Sequence, residues 1–182
     1  MFSALLARIG STLEASDIPY MVIGGHAATV YGEPRLTRDL DITLGAGPDR
    51  LGELLEVVRA AGLVPAQGAE DLALRNYVFP CSDPATGIDV DLILSVSAYK
   101  QEALGRTQAV AVGGVNVRFA SPEDVLIHKI VAGRPSDIED ARAILAKSRT
   151  LDRPYLLRWL GEFEATLSSP LVEQFKELEA QV

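Results

Sequence analysis

The sequence predicts an α/β protein of α+β topology, with a mixed, mostly antiparallel sheet and helices packed mainly on one face. Three observations carry this. Asp39-Leu40-Asp41-Ile42 alternates acid and aliphatic residue, and Ile88-Asp89-Val90-Asp91-Leu92-Ile93-Leu94 repeats the pattern; a period of two is that of a strand with one buried face. Thr107–Val112 and Val115–Ala120 alternate small and β-branched residues across Gly113-Gly114, the clearest hairpin signal in the chain. Phe2, Leu5, Leu6, Ile9 and Leu13, and later Leu51, Leu54, Leu55, Val58 and Ala61, recur at helical spacing.

In order, Phe2–Ala15 reads as a helix ended by Asp17-Ile18-Pro19, and Tyr20–Ile23 as a short strand. Gly24-Gly25 opens a helix over His26–Tyr31, and Gly32 and Pro34 mark the turn before the Asp39–Leu44 strand. The Leu51–Ala61 helix ends at Gly62, Leu63–Asp71 reads as loop, and Asn76–Phe79 as a strand. Ser82–Gly87 is a hairpin-like turn that should pair Tyr77–Phe79 antiparallel with Ile88–Leu94. Ala98–Leu104 is a short helix. Ser121-Pro122-Glu123-Asp124 starts another, with Ser as N-cap; it turns Val125, Leu126, Ile130 and Val131 inward and His128 and Lys129 outward. Ser136-x-x-Glu139 has the capping-box pattern for a helix over Asp137–Lys147. Thr150–Pro154 is a linker, and two helices follow, one around Trp159 and one over Leu171–Ala180. The expected organisation is a main domain over residues 1–148 and a C-terminal helical extension over 149–182.

The length of 182 residues suffices for a buried core, and 48% apolar against 23% charged residues is the balance of a globular protein. No apolar run reaches the ~20 residues that span a bilayer, and the first residues read as a helix rather than a signal peptide. Cys81 is alone, which excludes an intramolecular disulfide or a thiolate metal cluster. A cytoplasmic protein is the expectation. The net charge of −8 argues against broad, nonspecific nucleic-acid binding, although Arg35, Arg38, Lys129 and Arg134 leave room for a local basic site.

Asp39 and Asp41 share one strand face, about 6.6 Å apart, while Leu40 and Ile42 face the core. Two carboxylates aimed at one point repel unless a cation lies between them, the arrangement that holds Mg²⁺ beside phosphate oxygens. A neighbouring strand bearing Asp91, or Asp89, would complete the set. Gly24 and Gly25 let backbone N–H groups approach an anion at a helix start, or simply make a tight turn. Arg35 and Thr37 alternate ahead of Asp39 and should share its face.

The glycine pair, the Asp39-x-Asp41 that follows after thirteen intervening residues and the later Asp91 strand resemble the nucleotidyltransferase fold of the DNA polymerase beta superfamily. The closer form, G-G-H-A…Y-G…R-x-T-x-D-L-D-I followed by H-K-x-x-A-x-R-x-x-D-x-x-D, is similar to the AbiEii-like nucleotidyltransferases, a group that includes toxins of type IV toxin–antitoxin systems. The resemblance covers about residues 5–145. It implies a Mg²⁺-dependent enzyme, with Mn²⁺ as an alternative, that moves a nucleoside monophosphate from an NTP to an acceptor hydroxyl and releases pyrophosphate. On that reading Asp39, Asp41 and Asp91 hold a two-ion metal site, and Asp91 also serves as base. Gly24, Gly25, Arg35 and Thr37 hold the nucleotide. Lys129 contacts the phosphates, and Asp140 orients Lys129 or assists the acceptor. The family's acceptors include an RNA 3′ end, in particular tRNA, with a cognate antitoxin as partner; a protein hydroxyl; and a small molecule such as an antibiotic. The rivals are a catalytically silent nucleotide-binding module of the same fold and a metal-dependent phosphohydrolase. The latter usually relies on histidine-rich ligand sets, and this chain has only His26 and His128.

Overall fold

The computed structural model describes residues 2–182. Along the chain the elements are α1 (Phe2–Ala15), β1 (Tyr20–Val22), α2 (Gly24–Tyr31), β2 (Asp39–Leu44), a 3-10 turn (Pro48–Arg50), α3 (Leu51–Ala60), β3 (Val64–Pro65), α4 (Ala69–Asn76), β4 (Val78–Asp83), β5 (Ile88–Leu94), α5 (Ala98–Leu104), β6 (Gln108–Val112), β7 (Val115–Phe119), α6 (Pro122–Ala132), α7 (Pro135–Lys147), α8 (Arg153–Leu167) and α9 (Leu171–Glu179). They form two compact units. One runs through Ile23 and resumes over Thr37–Phe119; the other joins Gly24–Leu36 to Ala120–Val182.

The first unit holds the whole described sheet, in the order β3-β4-β5-β2-β1-β7-β6. The β2–β5 and β1–β7 pairs are parallel and the other pairs antiparallel, giving the mixed, mostly antiparallel sheet that the patterns predict. Leu40, Ile42 and Leu44 on β2, Val90, Leu92 and Leu94 on β5, and Phe79 and Cys81 on β4 are buried on one face. The intervening acids therefore occupy the other. α1 packs on β6 and β7 and also meets α3. Its approach depends on Gly10, where a Cβ would stand 3.0 Å from the Tyr20 Oη and 3.1 Å from Val117. That hydroxyl accepts the Arg118 backbone N–H. Asp83, 1% exposed, is the one acid of β4 on the core side. It accepts from Thr86 and from Arg8 of α1, and these bonds, the Thr86 hydroxyl foremost, hold its carboxyl below the usual range against the cost of burial.

The Gly-Gly hairpin forms with φ of 59° and 83° at Gly113 and Gly114, the left-handed pair that a two-residue turn needs. Three expectations change in this unit. Asn76 ends α4 and Tyr77 takes a left-handed φ of 60°, so the strand expected over Asn76–Phe79 begins only at Val78. β4 runs on to Asp83, so the turn is confined to Pro84–Gly87. The Leu63–Asp71 loop gives way to the edge strand β3 and to α4, which buries only Ala69 and Ala73. Two alanines at i and i+4 make too thin an apolar stripe to stand out as a helix.

In the second unit α6 takes Ser121 as N-cap, its Oγ accepting the Asp124 N–H. Asp124 is buried and accepts from the Ser121 and Tyr155 hydroxyls. Burial pushes the Tyr31 hydroxyl up to about 12, reinforced by Glu123 and Asp124; it donates to the Ala120 carbonyl. The capping box does not form: α7 begins at Pro135, already in helical φ at the first position, so Ser136 lies inside the helix. Nor does Lys129 face outward. It is 4% exposed, enclosed with Asp137 and Asp140 of α7. α8 and α9 pack together; Leu156, Trp159 and Leu160 on the first and Leu171, Phe175 and Leu178 on the second are buried, and Arg158 lies over the Tyr155 and Trp159 rings. Among the described residues no helix is long and apolar enough to cross a membrane.

Cys81 sits in the core face of β4, its thiol directed at the Val90 carbonyl. Burial, with the charge of Asp91, pushes that thiol up to about 12. A thiol reagent such as 5,5′-dithiobis(2-nitrobenzoate) should leave the native protein unmodified at neutral pH and react fully on addition of denaturant. Rapid reaction of the native protein would show that this part of the sheet opens easily.

Candidate active site

The register of β2 on β5 determines the geometry on the first unit. Because the strands run parallel, Asp39 pairs with Asp89 and Asp41 with Asp91, so four carboxylates form a two-by-two grid on one face. Asp39 and Asp89 at the strand starts are exposed, while Asp41 and Asp91 are half-buried. The alternation that buries Leu40, Ile42, Val90 and Leu92 leaves these acids no other side. Burial pushes the Asp91 carboxyl up, and the charges of Asp39 and Asp89 push it further. Thr43, opposite Ile93, continues the β2 row; its Oγ1 is buried without a hydrogen-bond partner.

Among the described residues no three acid, histidine or cysteine side chains converge into a ready-made metal cage. The donor set nevertheless suits a hard divalent ion: all its oxygens belong to carboxylates, one of them, Asp91, disfavoured as an anion by burial and then by the charges of Asp39 and Asp89. Mg²⁺ is commonly held by one or two carboxylates together with substrate phosphates rather than by a complete protein cage.

Beside this grid, still within the first unit, lies a cavity of about 400 Å³. It is lined by Asn76 and Tyr77 before β4, by Ile93 on β5, by Ser95 and Val96 beyond it and by Lys100 of α5. Ile93 is two residues from Asp91 on the same strand face, about 6.6 Å along the strand. Thr43, Ser95 and Lys100 were not singled out from sequence. Thr43 was legible, since it extends the Asp39, Asp41 alternation; nothing local distinguishes Lys100.

Gly24, Gly25, Arg35, Lys129 and Asp140 belong to the second unit. Gly24 has φ 68° and turns the chain from β1 into α2, a conformation that favours glycine; Gly25 is buried and lacks a positive φ. Lys129 lies between two carboxylates, 2.8 Å from Asp137 and 2.8 Å from Asp140. Asp140 in turn grips Arg35 through Nε and Nη2, and Arg134 holds Asp137. Five alternating charges thus form one network, with Lys129, Asp137 and Asp140 buried at its centre. Burial opposes ionisation of Asp137, but the bonds from Arg134 and Lys129 outweigh it and hold its carboxyl below the usual range. Thr37, at the start of the returning first-unit segment, has a buried Oγ1 without a hydrogen-bond partner.

The fold and this acid-bearing sheet face define a nucleotidyltransferase-fold protein. The chain belongs to the family described as "Nucleotidyltransferase of unknown function (DUF6036)", which matches residues 2–169. Three solved structures share the fold. The antibiotic-resistance factor ANT(2″)-Ia is 19% identical, with 92% of this chain and 93% of that one covered and a TM-score of 0.64. An antigenic nucleotidyltransferase-like protein from Paracoccidioides brasiliensis is 17% identical over 98% and 90%, with a TM-score of 0.64. The lincosamide antibiotic adenylyltransferase LnuA is 13% identical over 80% and 97%, with a TM-score of 0.57. No curated relative matches the chain by sequence.

Proposed function

We propose that the protein transfers a nucleoside monophosphate from an NTP to an acceptor hydroxyl, with Asp39, Asp41 and Asp91 as the catalytic carboxylates. The observation that supports this best is the parallel register that sets Asp41 beside Asp91 on the acid-bearing face. Asp39, Asp41 and Asp91 would hold Mg²⁺, or Mn²⁺, as one or two ions, and such an ion would supply neutralisation of triphosphate charge and polarisation of the α-phosphate. The acceptor oxygen bonds to the α-phosphorus while the bond to the bridging oxygen breaks, and that electron pair leaves with pyrophosphate. Asp91 takes the hydroxyl proton, a role suited to a carboxyl whose proton affinity its surroundings raise. Most of the rate enhancement then comes from positioning and charge neutralisation.

The second unit offers a phosphate-binding set of its own. The N–H groups at Gly24 and Gly25 stand at a helix start, and Arg35 presents a guanidinium oriented by Asp140. Lys129 acts through Asp140 as a positioning residue, and on the first unit Thr37 offers a hydroxyl. Of the acceptors, the AbiEii-like motifs speak for an RNA 3′ end and a cognate antitoxin, whereas the cavity beside Asp91 speaks for a small molecule. A cytoplasmic location fits a lone free thiol and a supply of NTP.

The test is incubation of the purified protein with Mg²⁺, each α-phosphate-labelled NTP, and cellular RNA, protein or small-molecule extract in separate reactions. Label should reach one acceptor class with the wild type and none with Asp39→Asn/Asp41→Asn. Nucleotide binding with no label transferred to any fraction would favour a silent module, and release of labelled monophosphate to water alone a hydrolase.

A further inference from the structure

The cavity on the first unit contains features that its own fold does not explain. The Lys100 side chain is half-buried in its wall and makes no ion pair or hydrogen bond among the described residues, and burial lowers its proton affinity. Ser95 is 3% exposed, and its Oγ has no hydrogen-bond partner. A half-buried ammonium without a protein partner, in the wall of a cavity that the unsatisfied Ser95 also lines, favours an acceptor of hydrogen bonds, preferably an anionic one. Tyr77, Ile93, Leu94 and Val96 give the rest of the wall much apolar surface, beside Asn76 and Ser97. Val96 is 63% exposed and the Tyr77 side chain 44%, and Tyr77 is held at φ 60°, a backbone conformation unfavourable for an aromatic residue. Ile93 forms the border toward the acids.

We propose that this cavity seats the acceptor, and that the acceptor is a small molecule bearing a carboxylate or phosphate on an apolar body, paired with Lys100 and Ser95, with its hydroxyl presented to Asp91. The assignment rests on the nucleotidyl-transfer reading. About 400 Å³ is the size of a small-molecule site. A nucleic-acid strand would require a continuous basic track, whereas this cavity has a single lysine, and its Ile93 wall lies two residues from Asp91. The acids of the grid and the lysine divide the site: an anionic group is repelled from the grid and drawn to Lys100, which turns the molecule so that its hydroxyl faces Asp91.

Phenyl phosphate is a suitable probe, with phenol, inorganic phosphate and benzylamine as controls. In nitrogen-15 NMR titrations of the whole chain, phenyl phosphate should move the amides of residues 76–77 and 93–100. It should bind more tightly than any control. Lys100→Met, which keeps the aliphatic stem, should weaken it about tenfold or more, and Lys100→Arg should recover most of the loss. Ser95→Ala should weaken it about threefold, which tests the cavity independently should Lys100→Met fold poorly. Binding that benzylamine matches, or that both Lys100→Met and Ser95→Ala leave unchanged, would overturn the proposal. In the transfer reaction, label should go to the anion-exchange-retained part of the small-molecule extract, and Lys100→Met should raise the acceptor KM with little change in kcat. Label entering RNA, protein or unretained compounds overturns the anionic small acceptor while leaving nucleotidyl transfer standing. Phenyl phosphate bound at these residues with no transfer to any acceptor overturns the transfer reading, and with it the acceptor role, leaving an anion site.

Discussion

Asp39→Asn/Asp41→Asn is expected to lower nucleotidyl transfer by on the order of 10³-fold or more while leaving the melting temperature unchanged or higher. The two halves of that expectation have one cause. Asp39 and Asp41 share a face with Asp89 and Asp91, and Asp91 is pushed up partly by the charge of Asp39. A like charge beside Asp91 makes ionisation costlier in the folded chain, so the value of Asp39 lies in what it attracts from solution. Asparagine keeps the shape and removes the charge. Transfer assays on equal amounts of folded protein, beside thermal unfolding in the absence of metal, test both halves. A variant that stays active would remove the β2 acids from the mechanism. One that melts well below the wild type would show that they are structural.

The opposite outcome is expected for Asp137→Ala. Asp137 is 1% exposed and bound by Lys129 and Arg134. Breaking a buried ion pair leaves the partner charge uncompensated, at a cost of roughly 3 kcal/mol here, the low end of the usual range because Asp140 still holds Lys129. For a chain of this length that is about 6–12 °C in melting temperature. Lys129→Met/Asp137→Leu, which removes both charges, should recover much of the loss. The pH dependence has a definite sign. The folded-state pKa of Asp137 lies below its unfolded value, so its contribution is fully present above about pH 5 and is lost as pH falls through the folded pKa. Denaturant unfolding at several pH values should therefore show the gap between wild type and Asp137→Asn narrowing in acid. A gap independent of pH would assign the cost to packing alone.

Alternation and turn chemistry make the sheet legible in the sequence. β2, β5 and the β6–β7 hairpin lie where period-two patterns and Gly113-Gly114 place them, and α1 keeps the bounds of its apolar spacing. Asp91 was legible as a neighbour of Asp41 because an acid at alternate positions of a buried strand has only one face available. Their parallel register was not, since it depends on how β1 and β5 flank β2. α4 was missed because two alanines make a weak stripe. The burial of Lys129 was missed because its partners Asp137 and Asp140 come from the next helix and Arg35 from 105 residues away from Asp140; helical periodicity reads which face a residue takes, not which charges meet it. Lys100 and Ser95 gave no signal, because an unpaired group is visible only once every potential partner has been located.

The acid rows have a consequence for how the chain reaches its fold. β2 and β5 lie at the centre of the sheet, where a strand displaced by one position would turn its aliphatic row outward and drive two carboxylates into the oily layer. The same aspartates therefore serve as spelling marks for assembly, penalising each misaligned intermediate. Strip them to alanine and the segment becomes Ala-Leu-Ala-Ile-Thr-Leu, an uncharged, sticky hexamer with little to prevent slippage or self-association during synthesis. An inactive control made with alanine risks accumulating in inclusion bodies and being misread as a loss of catalysis. Asparagine, still too polar to be buried cheaply, keeps the alignment signal while silencing the chemistry.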